Sequence, residues 1–146
     1  MSRFIPDKMR AFVAERADHI CEYCLIHEDD LVFSGQIDHI ISLKHGGPTH
    51  PDNLAYSCII CNGNKGSDVG SVLLPLQVFV RFFNPRSDEW GEHFELADSG
   101  KILPKTDIGQ ATAKILDFNA SERVAQRKAL MLTGKYPPFE ALRYFV

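Results

Sequence analysis

Apolar positions in the first half of the chain recur at spacings that change from helical to extended. Apolar residues at helical spacing around Pro6, which suits a first helical turn, predict a helix over residues 6–18. The isoleucine-rich segment 36–43 predicts a strand, and residues 54–58 predict a short second strand. Between them lies the turn-forming stretch KHGGPTHPDN. A further helix is expected over residues 61–68.

The second half carries a different set of signals. The segment VLLPLQVFVRFFNP is strongly apolar, and its periodicity does not decide between strand and loop. HFEL and KILP flank the turn ADSG and predict a hairpin. Two helices are predicted over residues 107–116 and 121–132, the second with Ser121 as its N-cap and Gly134 as its stop.

These elements predict an α+β fold in a single domain over residues 1–146. Within it we expect an N-terminal metal-binding core over residues 6–68 and a C-terminal α/β extension over residues 70–146 that packs on the core. A chain of 146 residues is long enough to bury one hydrophobic core.

Composition narrows the functional classes. A hydrophobic fraction of 45% and a charged fraction of 24% are those of a globular protein. No apolar run reaches membrane-spanning length and no secretory leader is seen, so we expect a cytoplasmic protein without membrane partners. The formal net charge of -3 weighs against a general nucleic-acid binder, although a local basic face stays possible.

Four cysteines in two Cys-x-x-Cys pairs are the most specific chemical signal. Two residues between thiolates let one tight turn present both sulfurs to the same tetrahedral ion. Four soft thiolates fill the coordination shell and select zinc, so a structural Zn²⁺ is predicted. The pairs are Cys21 with Cys24 and Cys58 with Cys61.

The segment between the pairs contains DHI, a Gly-Gly turn, an Asn-Leu pair and then CN followed by Lys65 and Gly66. In this order and spacing, residues 21–67 resemble the HNH endonuclease family in its four-cysteine form. The C-terminal half resembles the extension of bacterial stand-alone HNH proteins. The resemblance implies a ββα-metal (His-Me finger) core and a metal-dependent endonuclease that hydrolyses DNA phosphodiester bonds.

The resemblance also implies a role for each matching residue. His39 would be the general base, Asn53 would brace the loop, and Asp38 and Asn62 would hold a catalytic Mg²⁺ or Mn²⁺. Asn62 stands where the family name has its second histidine, so the ion would have one neutral ligand. Asp38 and His39 are adjacent and point to opposite faces of a regular strand, so the strand must bend, bulge or end there to serve one site.

Chemistry agrees with these roles. A neutral imidazole accepts a proton near pH 7, and carboxylate and amide oxygens suit magnesium or manganese. Lys65, Arg127 and Lys128 are candidate DNA contacts; the alternative for Lys65 is a solvated charge, and basic residues such as Arg127 and Lys128 usually form a solvated helix face. Two alternatives stay open: a catalytically inactive zinc-stabilised module that binds nucleic acid or protein, and a nuclease domain that acts within a larger assembly.

Overall fold

The computed structural model describes residues 4–145 and shows a mixed α+β fold. The described part of the N-terminal half contains two α-helices and two strands, besides short 3-10 turns. They are helix α1 (Asp7–Arg16), strands β1 (Gln36–His39) and β2 (Leu54–Ser57), and helix α2 (Ile59–Lys65). The C-terminal half contains hairpins β3–β4 (Gly70–Leu73, Val78–Arg81) and β5–β6 (Phe94–Leu96, Ile102–Pro104), with helices α3 (Trp90–His93), α4 (Asp107–Ile115) and α5 (Ser121–Leu132).

Strands β1 and β2 form an antiparallel hairpin that α2 follows directly along the chain. The register pairs Asp38 with Ala55 and His39 with Leu54. β1 is shorter than predicted because it ends at His39, where the chain turns into the Gly-Gly loop. α2 begins earlier than predicted, since Cys58 is its N-cap and accepts a hydrogen bond from the Cys61 amide.

In the C-terminal half, the structure shows that the apolar segment left open between strand and loop forms strands. VLLPLQVFVRFFNP contributes most of the β3–β4 hairpin, and the HFEL–KILP hairpin is confirmed as β5–β6. α5 has the predicted bounds, but Ala120 is its N-cap, so the prediction of Ser121 as cap is wrong by one position. Gly134 follows the helix with a φ of 74°, a left-handed conformation that suits glycine as a helix stop.

The larger hydrophobic cluster includes residues from both halves, among them Ile20, Trp90 and Phe118. A smaller cluster joins α1 to β2 through Val13 and Leu54. Hydrogen bonds also cross between the halves: Trp90 Nε1 donates to the Tyr23 carbonyl at 2.9 Å. Within residues 4–145, no helix combines the length and apolarity that a membrane span requires.

Candidate metal and nucleic-acid site

The four cysteine sulfurs form one buried cluster. All four ligand atoms lie within 4.8 Å of one another, and each cysteine is at most 3% exposed. The Cys24 and Cys58 sulfurs are 3.8 Å apart. Tetrahedral zinc with bonds of about 2.3 Å separates its sulfurs by about 3.8 Å, so the cluster fits this ion.

Local backbone geometry brings each pair of sulfurs together. The Cys24 amide lies 3.4 Å from the Cys21 sulfur, and the Cys61 amide lies 3.3 Å from the Cys58 sulfur. Burial raises the pKa of the Cys21 and Cys61 thiols well above their ordinary value, whereas hydrogen bonds from the other cysteines lower the pKa of Cys24, so the cluster without an ion does not favour four thiolates together. Four thiolates at this position therefore need a cation, and the donor set fits a structural zinc.

A separate open cleft lies beside the β1–β2 hairpin. Its volume is about 390 Å³, and its lining includes Asp38, His39 and Asn62, together with the exposed cations Arg10 and Lys44. Three residues proposed from the family resemblance thus border one space. They reach it because β1 ends at His39 and α2 returns alongside the hairpin.

His39 is half-buried, and its Nε2 lies 2.9 Å from the Thr49 hydroxyl. Among residues 4–145, its Nδ1 has no hydrogen-bond partner. Burial lowers the pKa of His39 below its ordinary value of 6.5; the charge of Asp38 opposes this shift and that of Lys65 adds to it. The imidazole is therefore held neutral near pH 7, as a general base requires.

Asp38 is buried and accepts two hydrogen bonds. The Tyr23 hydroxyl donates to Oδ2 at 2.6 Å, and the Lys65 ammonium approaches Oδ1 at 3.2 Å. Burial raises the pKa of Asp38, and Lys65 and Tyr23 counteract part of that shift. Asp38 thus forms a buried ion pair with Lys65, and a metal ion would have to compete with this lysine for the carboxylate.

Asn53 braces the loop that follows β1. Its Oδ1 accepts a hydrogen bond from the Ile41 amide, and its Nδ2 donates to the carbonyls of Ile41 and Pro48, each at 2.9 Å. A Cβ at Gly47 would stand 1.7 Å from the Ile41 carbonyl oxygen and 2.8 Å from Asn53 Nδ2. The Gly-Gly turn therefore allows the loop to pass close to the end of β1.

Two of the three residues predicted to contact DNA are buried in this structure. Lys65 is 1% exposed and pairs with Asp38, while Arg127 is 2% exposed. Arg127 donates to the carbonyls of Gly100 and Phe118, each at 2.6 Å. Lys128 is exposed, with its ammonium 2.6 Å from the Asp98 carbonyl, and its DNA contact stays a prediction.

Four residues near the site were not anticipated: Tyr23, Thr49, Arg10 and Lys44. Thr49 and Lys44 belong to the turn-rich loop that follows His39. The nearness of this loop in sequence could have suggested Thr49 as a hydrogen-bond partner of His39 and Lys44 as a basic residue of the cleft. Tyr23 lies between two cysteine ligands, and Arg10 lies in α1, upstream of the cysteines. Nothing in the local sequence indicates that either one approaches Asp38 or the cleft.

Comparison with known families agrees with the geometry over one segment. Residues 21–68 match the family model described as HNH endonuclease, about a third of the chain. The resemblance inferred from the sequence is confirmed there. No curated protein and no solved structure matches the chain.

Proposed function

We propose that this chain, whose residues 21–68 form an HNH endonuclease region, is a metal-dependent endonuclease that hydrolyses DNA phosphodiester bonds. The observation that carries the proposal is the shared cleft. His39, Asp38 and Asn62 all border it, and His39 has a lowered pKa. The β1–β2 hairpin followed by α2 corresponds to the order of a ββα-metal core.

His39 is assigned as the general base. In the tautomer that donates from Nε2 to the Thr49 hydroxyl, Nδ1 carries the lone pair and accepts the proton of the attacking water. The hydroxide attacks the phosphorus in line, the bond from phosphorus to the 3′ oxygen breaks, and the departing 3′ oxygen takes a proton from solvent water, which leaves 5′-phosphate and 3′-hydroxyl ends. Thr49 holds the ring in the required orientation.

Asp38 and Asn62 are the residues that would hold a Mg²⁺ or Mn²⁺ ion. Among residues 4–145, the cysteines are the one group of three or more His, Cys, Asp or Glu side chains with metal-binding geometry. A second ion would therefore rely on few protein ligands, which suits magnesium because it keeps several waters and binds substrate phosphate. When bound, the ion would offset the negative charge that develops on the phosphate and the departing oxygen.

The charge around the cleft favours a phosphate substrate despite the overall charge of -3. Among the described residues that line it, Asp38 is the only acidic one, and Lys65 already pairs with that carboxylate. Arg10 donates from Nε to the Ile5 carbonyl at 3.1 Å, and within residues 4–145 its terminal nitrogens make no further hydrogen bond. We therefore assign Arg10 and Lys44 as contacts to the phosphodiester backbone.

The experiment is cleavage of plasmid and single-stranded DNA with magnesium, manganese or neither, for wild type and His39→Ala. His93→Ala is the matched control, because His93 Nδ1 also lies close to a threonine hydroxyl (Thr106, 2.7 Å) but borders no part of the cleft. We expect His39→Ala to abolish cleavage with unchanged zinc content and folding, and His93→Ala to cleave normally. Cleavage by purified His39→Ala at the wild-type rate would overturn the proposal.

A second candidate function is a zinc-stabilised binding module without catalysis. It is favoured by the pairing of Asp38 with Lys65, which leaves the carboxylate less available to a metal. In the same experiment this candidate predicts no cleavage with any metal, and a separate gel-shift measurement should then show whether wild type binds DNA. Either function requires reduced thiols, which favours a reducing compartment such as the cytoplasm.

A further inference from the structure

Arg123, in the C-terminal half, reaches the cysteine cluster of the N-terminal half. Its Nη2 lies 3.0 Å from the Cys61 sulfur and 3.9 Å from the Cys58 sulfur. The side chain is 5% exposed. Among the described residues, it is the one cation that donates a hydrogen bond to a cysteine sulfur.

The guanidinium is held in place from its other side. Nη1 donates to the carbonyls of Leu116 at 2.7 Å and Asp117 at 3.0 Å, where α4 ends. The ring of Phe118 lies 5.9 Å from the guanidinium carbon. Because three contacts fix its plane, Arg123 is prepositioned toward the sulfurs and does not need to reorganise to meet them.

The charge of a loaded cluster explains why such a donor matters. One Zn²⁺ with four thiolates carries two net negative charges, and here all four ligands are buried. A buried net charge is costly unless an opposite charge or hydrogen bonds compensate it. Arginine remains charged in proteins and offers several donors, so Arg123 removes part of this cost.

We infer that Arg123 belongs to the metal centre and acts as a positioning residue that retains zinc through the thiolates of Cys61 and Cys58. By withdrawing charge from these two sulfurs, it makes them poorer targets for protons and competing electrophiles and slows loss of the ion. The extension thus controls how firmly the N-terminal half holds its metal. This inference depends on zinc binding and not on nuclease activity.

Arg127 provides a matched comparison. It lies one helical turn further along α5, is equally buried and borders the same small space beside Cys24 and Cys58. Its hydrogen bonds go to carbonyl and amide oxygens and not to sulfur. Substitution of Arg127 therefore removes comparable packing and hydrogen bonding but no hydrogen bond to a thiolate. Because the charge of Arg127 also acts on Cys24 and Cys61 without direct contact, the comparison isolates the hydrogen bond from Arg123 to sulfur.

The test measures zinc release from the purified, zinc-loaded full chain into excess chelating dye under native conditions. Variants Arg123→Met, Arg123→Lys, Arg127→Met and Arg127→Lys are compared, and urea unfolding of each reports its stability. Loss of a residue that supports metal ligands lowers metal affinity by about 10- to 100-fold. We expect Arg123→Met to release zinc at least about tenfold faster than Arg127→Met at matched stability, with Arg123→Lys in between.

Two results would overturn the inference. The first is equal acceleration by Arg123→Met and Arg127→Met, because release would then follow general stability. The second is a wild-type protein that purifies without stoichiometric zinc. If Arg123→Met does not fold, the comparison is made between Arg123→Lys and Arg127→Lys, and equal release rates would again count against it.

Discussion

The buried ion pair between Lys65 and Asp38 gives a sharp prediction about stability. The ammonium is 3.2 Å from the carboxylate, and the two side chains are 1% and 3% exposed. Lys65→Met keeps most of the aliphatic stem and removes the charge. Asp38 then retains the Tyr23 hydroxyl as a donor but has no counter-charge.

The expected destabilisation follows from the geometry. Two unit charges 3.2 Å apart attract by about 5 kcal/mol at an effective dielectric constant of about 20. Removal of one partner from a buried pair typically costs about 3–5 kcal/mol. Because Tyr23 still donates to the carboxylate, we expect Lys65→Met to lower the free energy of unfolding by about 3 kcal/mol.

A double variant separates the charge effect from the change in packing. Lys65→Met combined with Asp38→Asn removes both charges and still offers Tyr23 an amide oxygen. Lys65→Met and the double variant both lose the hydrogen bond from Lys65 to the His39 carbonyl, at a cost of about 1 kcal/mol, but only Lys65→Met leaves a buried carboxylate without a counter-charge. The double variant should therefore be more stable than Lys65→Met alone.

The assay is urea unfolding of zinc-loaded protein followed by circular dichroism at pH 7. Lys44→Met is the control, since Lys44 is exposed and its substitution should change stability by less than about 0.5 kcal/mol. The reasoning is refuted if Lys65→Met lies within about 1 kcal/mol of wild type. Asp38→Asn is also measured alone, and the reasoning is equally refuted if the double variant is destabilised by the sum of the two single effects.

Two further predictions concern the cleft. Burial lowers the pKa of His39, so the cleavage rate should be level near pH 7 and fall only as the pH drops through a midpoint below 6.5; a pH–rate profile with its midpoint at or above 6.5 would contradict this. Arg10→Gln and Lys44→Gln, each made in His39→Ala so that DNA stays intact, should reduce the slope of log affinity against log salt by about 0.9 for each phosphate of duplex DNA that the variant no longer neutralises. The exposed Lys101→Gln, away from the cleft, should leave the slope unchanged, and equal slopes for all three variants would rule out the assigned contacts.

Local patterns were enough to predict the elements whose signals lie within a few neighbouring residues. The bounds of α5 and the turn between β5 and β6 are examples. The β3–β4 hairpin was not assigned because apolar residues occupy both of its faces. Val72, Val78 and Phe79 are all substantially exposed, so no alternation of buried apolar and exposed polar positions marks the strands.

The burial of two charged residues could not be predicted from the sequence. Lysine and arginine are residue types that usually lie on the surface. Lys65 and Arg127 are buried because folding brings hydrogen-bond acceptors from distant parts of the chain to them. Lys65 meets Asp38 from 27 positions away, and Arg127 meets the Gly100 carbonyl from 27 positions away. No neighbouring residue in the sequence indicates these partners. The cysteine cluster, in contrast, could be predicted because the Cys-x-x-Cys spacing itself indicates a shared metal site.

Helix α2 explains why the two candidate metal sites depend on each other. It has seven residues, too few to be stable alone in water. The Cys58 sulfur caps its first turn, and Lys65 in its last turn is bound to Asp38 and to the His39 carbonyl. Asn62 lies between these two attachments and borders the cleft. The position of Asn62 therefore depends on zinc at one end of the helix and on a buried ion pair at the other, and loss of either removes a restraint from the proposed catalytic residues.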